Sequence, residues 1–248
     1  SEDSKDIDLN GWWIKSEKNI GTIIWVHGLD SERSGGEGKL EMIKEIHDLG
    51  YSILSFDLRG HGNSSDAPLG LGIREKNDIY GAIKYLYNNH DVKKVGLYGI
   101  SYGGVAVLDA AINYNYDEVE IIGIFSDTPY FSVTELLTKE VSDRTPIPHL
   151  ISKLLKFGII QSGELFQNMN IEDVEESMKR VSEIKFPVII ISCKNDERVP
   201  ISHPERVYSY SKNSKYVAFD YCEDHGEAYE TNKEKFMQEF ENYFKNKF

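Results

Sequence analysis

Three side chains suited to acyl transfer sit just past strand-like apolar runs in this chain. Ser101 is the centre of Gly99-Ile100-Ser101-Tyr102-Gly103. The run before it, Lys94 to Tyr98, reads as a strand, and the run after it, Val105 to Ala111, reads as a helix. A sharp strand-to-helix turn exposes the central hydroxyl and aims a helix N-terminus at it, where negative charge is favoured. The small residues on either side make room for a strained serine backbone. A serine hydroxyl is a weak nucleophile until a base takes its proton. A histidine, with an ordinary pKa of about 6.5, can take that proton at neutral pH and return it later. His225 follows the short strand Tyr216 to Phe219, and Asp196 follows the apolar run Pro187 to Ser192. A carboxylate on the histidine would fix its tautomer and stabilise its charged form.

Rivals exist for each role. The chain has seven histidines. His47 and His90 fall on or beside helices and read as surface residues. His149 falls in the cap segment and His203 after Pro200-Ile201-Ser202, and His27 and His61 fall in loops at the same end of the sheet as Ser101. Asp127 follows the strand Glu120 to Phe125 and competes with Asp196 for the acid position. Asp220 and Asp224 stand too near His225 in sequence to reach it well. Asp57 reads as a loop carboxylate paired with Arg59 or a backbone amide.

The elements that must position these residues alternate. Strands are expected at Trp12 to Lys15, Thr22 to Val26, Tyr51 to Phe56, 94–98, 120–125, 187–192 and 216–219. Helices are expected at Lys39 to Leu49, with Leu40, Ile43, Ile46 and Leu49 on its apolar face, and at Asn77 to Asn88 and Asn232 to Phe244. Strand alternating with helix implies a parallel sheet with right-handed crossovers. The alternation breaks between Ser126 and Lys185. There Ile147, Leu150, Ile151, Leu154 and Leu155 follow an amphipathic helical spacing, and Ile171 to Val181 reads as a further helix. Residues 1–10 are polar and read as a frayed start or edge.

Bulk composition excludes some functions. A chain of 248 residues with 40% hydrophobic content suits one α/β domain with a small insertion. It carries 41 acidic against 28 basic residues, a net charge of −13. That argues against nucleic acid and anionic membrane surfaces as partners. Two cysteines, Cys193 and Cys222, make neither a disulfide framework nor a metal-ligand spacing. Each lies three residues before a proposed site residue, on strands expected to be neighbours. Pairing is conceivable, but buried free thiols are the commoner state. No apolar run approaches the roughly 20 residues of a membrane span, and no signal peptide is visible. A cytoplasmic location is therefore expected, with a leader or anchor ahead of Ser1 left open.

A set of motifs running along nearly the whole chain carries a resemblance. They are His27-Gly28-Leu29-Asp30, Phe56-Asp57-Leu58-Arg59-Gly60-His61-Gly62-Asn63-Ser64, Gly99 to Gly104, Asn195-Asp196-Glu197-Arg198-Val199-Pro200, and His225-Gly226. With the order serine, acid, histidine, the chain resembles the α/β-hydrolases, and within them the serine aminopeptidase-like and monoacylglycerol-lipase-like serine hydrolases. The resemblance implies a single domain over 1–248. The fold is a doubly wound, mostly parallel sheet with a small helical cap inserted after the sixth strand, over residues 130–170. The cap helices would cover Ser101 or else pack only on the sheet edge. It implies Ser101, Asp196 and His225 as a catalytic triad. The backbone amides of Leu29 and Tyr102 would form the oxyanion hole, and His27 would brace the loop of the first. No metal or organic cofactor is expected. The implied partner is a small acyl ester, hydrolysed through an acyl-serine intermediate. A thioesterase or acyltransferase, a peptidase, and a non-catalytic ligand-binding protein on the same fold remain alternatives. Oligomeric state is not readable from the sequence.

Overall fold

The computed structural model describes residues 1–36, 38–144, 170–245 and 247–248, together with Gly158 and Gln161. Seven strands form one sheet: β1 (Gly11–Ile14), β2 (Gly21–Val26), β3 (Tyr51–Phe56), β4 (Lys94–Ile100), β5 (Glu120–Asp127), β6 (Val188–Cys193) and β7 (Ser214–Phe219). Their spatial order is β1-β3-β2-β4-β5-β6-β7. β1 runs antiparallel to β3, and every other pairing is parallel. This is the parallel sheet that the alternation implies, in the doubly wound, mostly parallel form that the resemblance implies.

The apolar runs read as they do because these strands are covered on both faces. In β2, Ile24 and Val26 join one core while Ile23 and Trp25 join the other. In β6, Val188 and Ile190 divide from Ile189 and Ile191 in the same way. The first core packs against α2 (Lys76–His90), α3 (Tyr102–Ile112) and α5 (Asp173–Lys179), through residues such as Ile79, Leu86, Val105 and Val174. The second packs against α1 (Lys39–Leu49) and the last helix, α8 (Lys233–Phe244), through Met42, Ile46, Phe236, Phe240 and Phe244. Between these helices in the chain come α4 (Val133–Arg144), α6 (Ser202–Tyr210) and the short α7 (Ala228–Thr231).

Several expectations change. The apolar face of α1 buries Lys39, Met42, Ile43 and Ile46, while Leu40 is 50% exposed. Residues 1–10 are pinned rather than frayed: the buried Arg59 guanidinium donates to Asp3 and to Ser1 Oγ, and the Ser1 amino group donates to the Ile7 carbonyl. The segment expected to hold the cap follows β5, the fifth strand in chain order rather than the sixth, because β1 alone precedes β2 among the described residues. Most of that 130–170 segment, including the stripe Ile147, Leu150, Ile151, Leu154 and Leu155, lies outside the described residues.

The strand order locates the site. From β2 the chain steps to β3 on one side, then returns to place β4 on the other. The crevice at the carboxyl ends of β2 and β4 is therefore a topological switch point, where open α/β sheets bind ligands. The loops leaving those two strands carry His27-Gly28-Leu29 and Ser101.

Candidate active site

Ser101 is held by backbone geometry. It sits between β4 and α3 at φ 54° and ψ −112°, a costly conformation for a residue with a side chain. Its amide donates to the Asp127 carbonyl at 2.7 Å, tying the turn to the end of β5. The flanking glycines are steric requirements. A Cβ on Gly99 would stand 2.3 Å from the Gly103 carbonyl oxygen, and one on Gly103 would stand 2.5 Å from those of Val26 and His27.

The structure brings Ser101, His225 and Asp196 together. Ser101 Oγ lies 2.9 Å from His225 Nε2, and His225 Nδ1 lies 2.7 Å from Asp196 Oδ2. The second oxygen of Asp196, Oδ1, accepts the Val199 amide at 2.8 Å, so the carboxylate cannot swing away without losing a bond. Asp196 is nearly fully buried and His225 largely so. With Nδ1–H donated to the carboxylate, Nε2 faces the serine with its lone pair, the tautomer a general base requires.

The rival acid does not reach the histidine by a hydrogen bond. Asp127 is fully buried, accepts Thr128 Oγ1 at 2.9 Å and faces the Tyr98 hydroxyl at 3.3 Å. Burial pushes its pKa up to about 6, against the opposing pull of Lys39. Asp224 caps the His225 amide, and Asp220 pairs with Lys194. Asp57 behaves as a loop carboxylate, but its partners are the Arg33 side chain and the amides of Arg33 and Asn63. Arg59 instead engages Asp78 and Asp3, because both carboxylates flank its planar donor fork.

His27 is a brace. Its Nε2 accepts the Leu58 amide at 3.0 Å and its Nδ1 lies 2.7 Å from the Gly28 carbonyl. Burial lowers its pKa to about 4, so it stays neutral and keeps both roles. The Gly28–Leu29 loop is thereby fixed beside Ser101. Neither the Leu29 nor the Tyr102 amide donates to another group among the described residues. Both remain free for a ligand oxygen.

One expectation is corrected and two features escaped the sequence reading. Cys193 and Cys222 form a disulfide, with Cα atoms 5.8 Å apart, rather than two free thiols. Cys193 ends β6 opposite Phe219, and the chain beyond Phe219 turns back to bring Cys222 alongside. Asn195 doubles this link: its Nδ2 donates to the Cys222 carbonyl at 2.7 Å and its Oδ1 accepts the Cys222 amide at 2.9 Å. Lys39, buried at the start of α1, donates to the Gly226 carbonyl at 2.8 Å and pairs with Glu230. His203 lies buried on α6, where Nδ1 accepts the amides of Phe131 and Ser132. It thus ties α6, which follows the Asp196 loop, to the chain leaving β5.

A cavity of about 190 Å³ opens beside Ser101 and His225, lined also by Gly28, Leu29, Lys39, Arg198, Glu227 and Glu230. A larger cavity of about 430 Å³, beside β1 and α2, has no histidine in its lining. The smaller cavity is the one that reaches Ser101 and His225.

Residues 17–159, more than half of the chain, match the model of the family described as serine aminopeptidase, S33. Over 242 residues the chain is 25% identical to the uncharacterized protein YqkD of Bacillus subtilis, covering 94% of this chain and 75% of that protein. It is 22% identical to the zebrafish (Danio rerio) lysophosphatidylserine lipase ABHD12, over 82% of this chain but only 51% of the lipase. The fold matches that of the Pyrococcus furiosus esterase Pf2001 with a TM-score of 0.75, at 22% identity over 96% of this chain and 87% of that one. No helix among the described residues is long and apolar enough to cross a membrane.

Proposed function

The chain belongs to the serine aminopeptidase, S33, family of α/β-hydrolases, and on that premise we propose that it hydrolyses carboxylic esters of short to medium acyl chains through an acyl-serine intermediate. The observation that carries this reading is the continuous relay from Ser101 Oγ through His225 to Asp196 at 2.9 and 2.7 Å. The esterase and lipase named among its similar proteins support the same reading.

The chemistry follows from the geometry. His225 Nε2 takes the Ser101 proton as Oγ attacks the ester carbonyl carbon. The new C–O bond forms and the carbonyl π electrons move to oxygen. That oxyanion meets the free amides of Leu29 and Tyr102 at the N-terminus of α3. As the carbonyl re-forms, the bond to the alcohol oxygen breaks, and His225 gives its proton to the departing alkoxide. Asp196 stabilises the imidazolium between these steps without being protonated itself. A water then repeats the sequence on the acyl-serine, releasing the acid and restoring Ser101.

The test is stoichiometric labelling by a fluorophosphonate at Ser101 together with turnover of p-nitrophenyl acetate and butyrate. Labelling mapped to another serine, or none with no ester turned over, would falsify the reading.

A further inference from the structure

The cavity beside Ser101 contains four charged side chains, and they are not equivalent. Lys39 and Glu230 satisfy each other and are largely buried. Arg198 and Glu227 line the same cavity, yet neither side chain makes an ion pair or hydrogen bond among the described residues. Arg198 is exposed and Glu227 half-buried. In a chain with 41 acidic residues, an arginine without a carboxylate partner is unusual. Arg33, Arg59, Arg180 and Arg206 all have one.

The placement of the two free charges is regular. Arg198 stands two residues after Asp196, and Glu227 stands two residues after His225. The Asp196 loop and the His225 loop therefore each contribute one unpaired charge to the cavity, and the Ser101 turn contributes none. The side of the cavity is informative too. A base that returns its proton to the leaving group must face that group. Arg198 and Glu227 come from the two loops that carry Asp196 and His225 and line the cavity on which His225 opens, so we assign them to the alcohol portion of an ester rather than to its acyl chain. A purely anionic alcohol would gain Arg198 but meet Glu227, and a purely cationic one would meet the reverse conflict. A group carrying both charges satisfies both walls.

We propose that Arg198 and Glu227 bind a zwitterionic alcohol portion of the ester substrate, its anionic group on Arg198 and its ammonium on Glu227. This rests on Ser101 being the nucleophile. The anion can be a phosphate or a carboxylate, since a guanidinium fork matches either.

The experiment measures kcat/KM for a matched octanoyl series: octanoylglycerol, its phosphate monoester, its phosphoethanolamine ester, octanoylcholine and O-octanoylcarnitine. The wild-type chain is expected to prefer at least one zwitterionic ester over octanoylglycerol by about tenfold or more, as charge-assisted hydrogen bonds allow. Preference for the phosphoethanolamine ester assigns a phosphate, and preference for the carnitine ester assigns a carboxylate. Arg198→Gln and Glu227→Gln should each lower the zwitterion-to-neutral ratio severalfold, a ratio that general damage to folding does not move. A ratio near one in the wild type, or a ratio changed by neither variant, overturns the proposal. So does a ratio lost in Arg198→Gln alone with the phosphate monoester preferred, which would leave an anion site only. In those cases labelling at Ser101 and turnover of octanoylglycerol persist, so the hydrolase reading stands. Absence of both takes down that reading and this one together.

Discussion

The two halves of the relay are built by different means. Ser101 is positioned by the backbone: a strained turn, two glycines that admit neighbouring carbonyls, and an amide bound to Asp127. Asp196 and His225 sit on loops beyond β6 and β7, and these are positioned by cross-links that side chains make, one to a side chain and the others to backbone groups. The disulfide and Asn195 join the acid loop to the histidine loop, and Lys39 holds the carbonyl just after His225. Backbone positioning tolerates no substitution at the glycines and draws only on main-chain partners, the Asp127, Val26 and His27 carbonyls. Cross-linked positioning is redundant, so it should fail in graded steps.

The sharpest way to probe the backbone half is to leave its geometry intact and remove the hydroxyl. Ser101→Ala should lower ester turnover by about 10⁴-fold or more, with the melting temperature nearly unchanged. Retention of a tenth of the activity would remove Ser101 from the nucleophile's role. Gly103→Val should instead fail to fold stably, since its first side-chain carbon already collides with two backbone carbonyls. A well-folded, active Gly103→Val would contradict the steric account.

On the cross-linked side, the carboxylate itself is not redundant. Asp196→Asn should cut kcat/KM by about 10³- to 10⁴-fold, because an amide in that place favours the wrong histidine tautomer. Asp127→Asn should cost far less activity. If the two variants ranked the other way, the acid would be Asp127 and the 2.7 Å contact to His225 would be incidental.

The loop links themselves should give smaller, graded effects. Replacing both Cys193 and Cys222 by Ala removes a cross-link across 29 residues of sequence, which costs about 2–4 kcal/mol of stability in chain-entropy terms. Activity in the folded protein should fall only severalfold, because Asn195 still grips both sides of Cys222. Adding Asn195→Ala should then lower activity by more than the two changes do separately, a coupling read from a double-mutant cycle. Strict additivity would show that the two links do not hold the same loop.

This contrast also explains what the sequence made legible. The serine turn was readable because steric demands leave a spaced-glycine mark at Gly99 and Gly103. The strands β2, β4, β5 and β6 were readable because burial on both faces demands unbroken apolar runs. The cross-links leave no such mark. Lys39 looks like a surface lysine, and it is the fold that brings Gly226 and Glu230 to it. The matched spacing of Cys193 and Cys222 leaves a disulfide conceivable, but only the turn of the chain after Phe219 decides it over two free thiols. Helix α6 went unread because Pro204 lies within it, although a proline in the first turn of a helix removes no hydrogen bond. Leu40 misled because a regular helical spacing was taken to face the sheet, when α1 is rotated to bury Lys39 and Met42.

The smallest effect should come from Asp127, where the two halves meet: its carbonyl holds the Ser101 amide while its carboxyl lies buried behind the site. Its pKa rises on folding from 3.8 to about 6, because burial penalises the charged form. The folded chain therefore holds this proton more tightly than the unfolded chain does. Where the unfolded state binds fewer protons, stability falls as pH rises. The contribution of Asp127 is thus most favourable below about pH 4, declines between about pH 4 and 6, and is flat above. Asp127→Asn, which keeps the shape and loses the charge, should flatten that part of the urea-midpoint-against-pH curve. It should also gain about 1–3 kcal/mol of stability relative to the parent on going from acid to neutral pH. An unchanged slope between pH 4 and 6 would mean that Lys39 holds the carboxylate ionised throughout. The Lys39–Glu230 pair would then be joined to Asp127, and the backbone and cross-linked halves of the site would be one charged network rather than two separate supports.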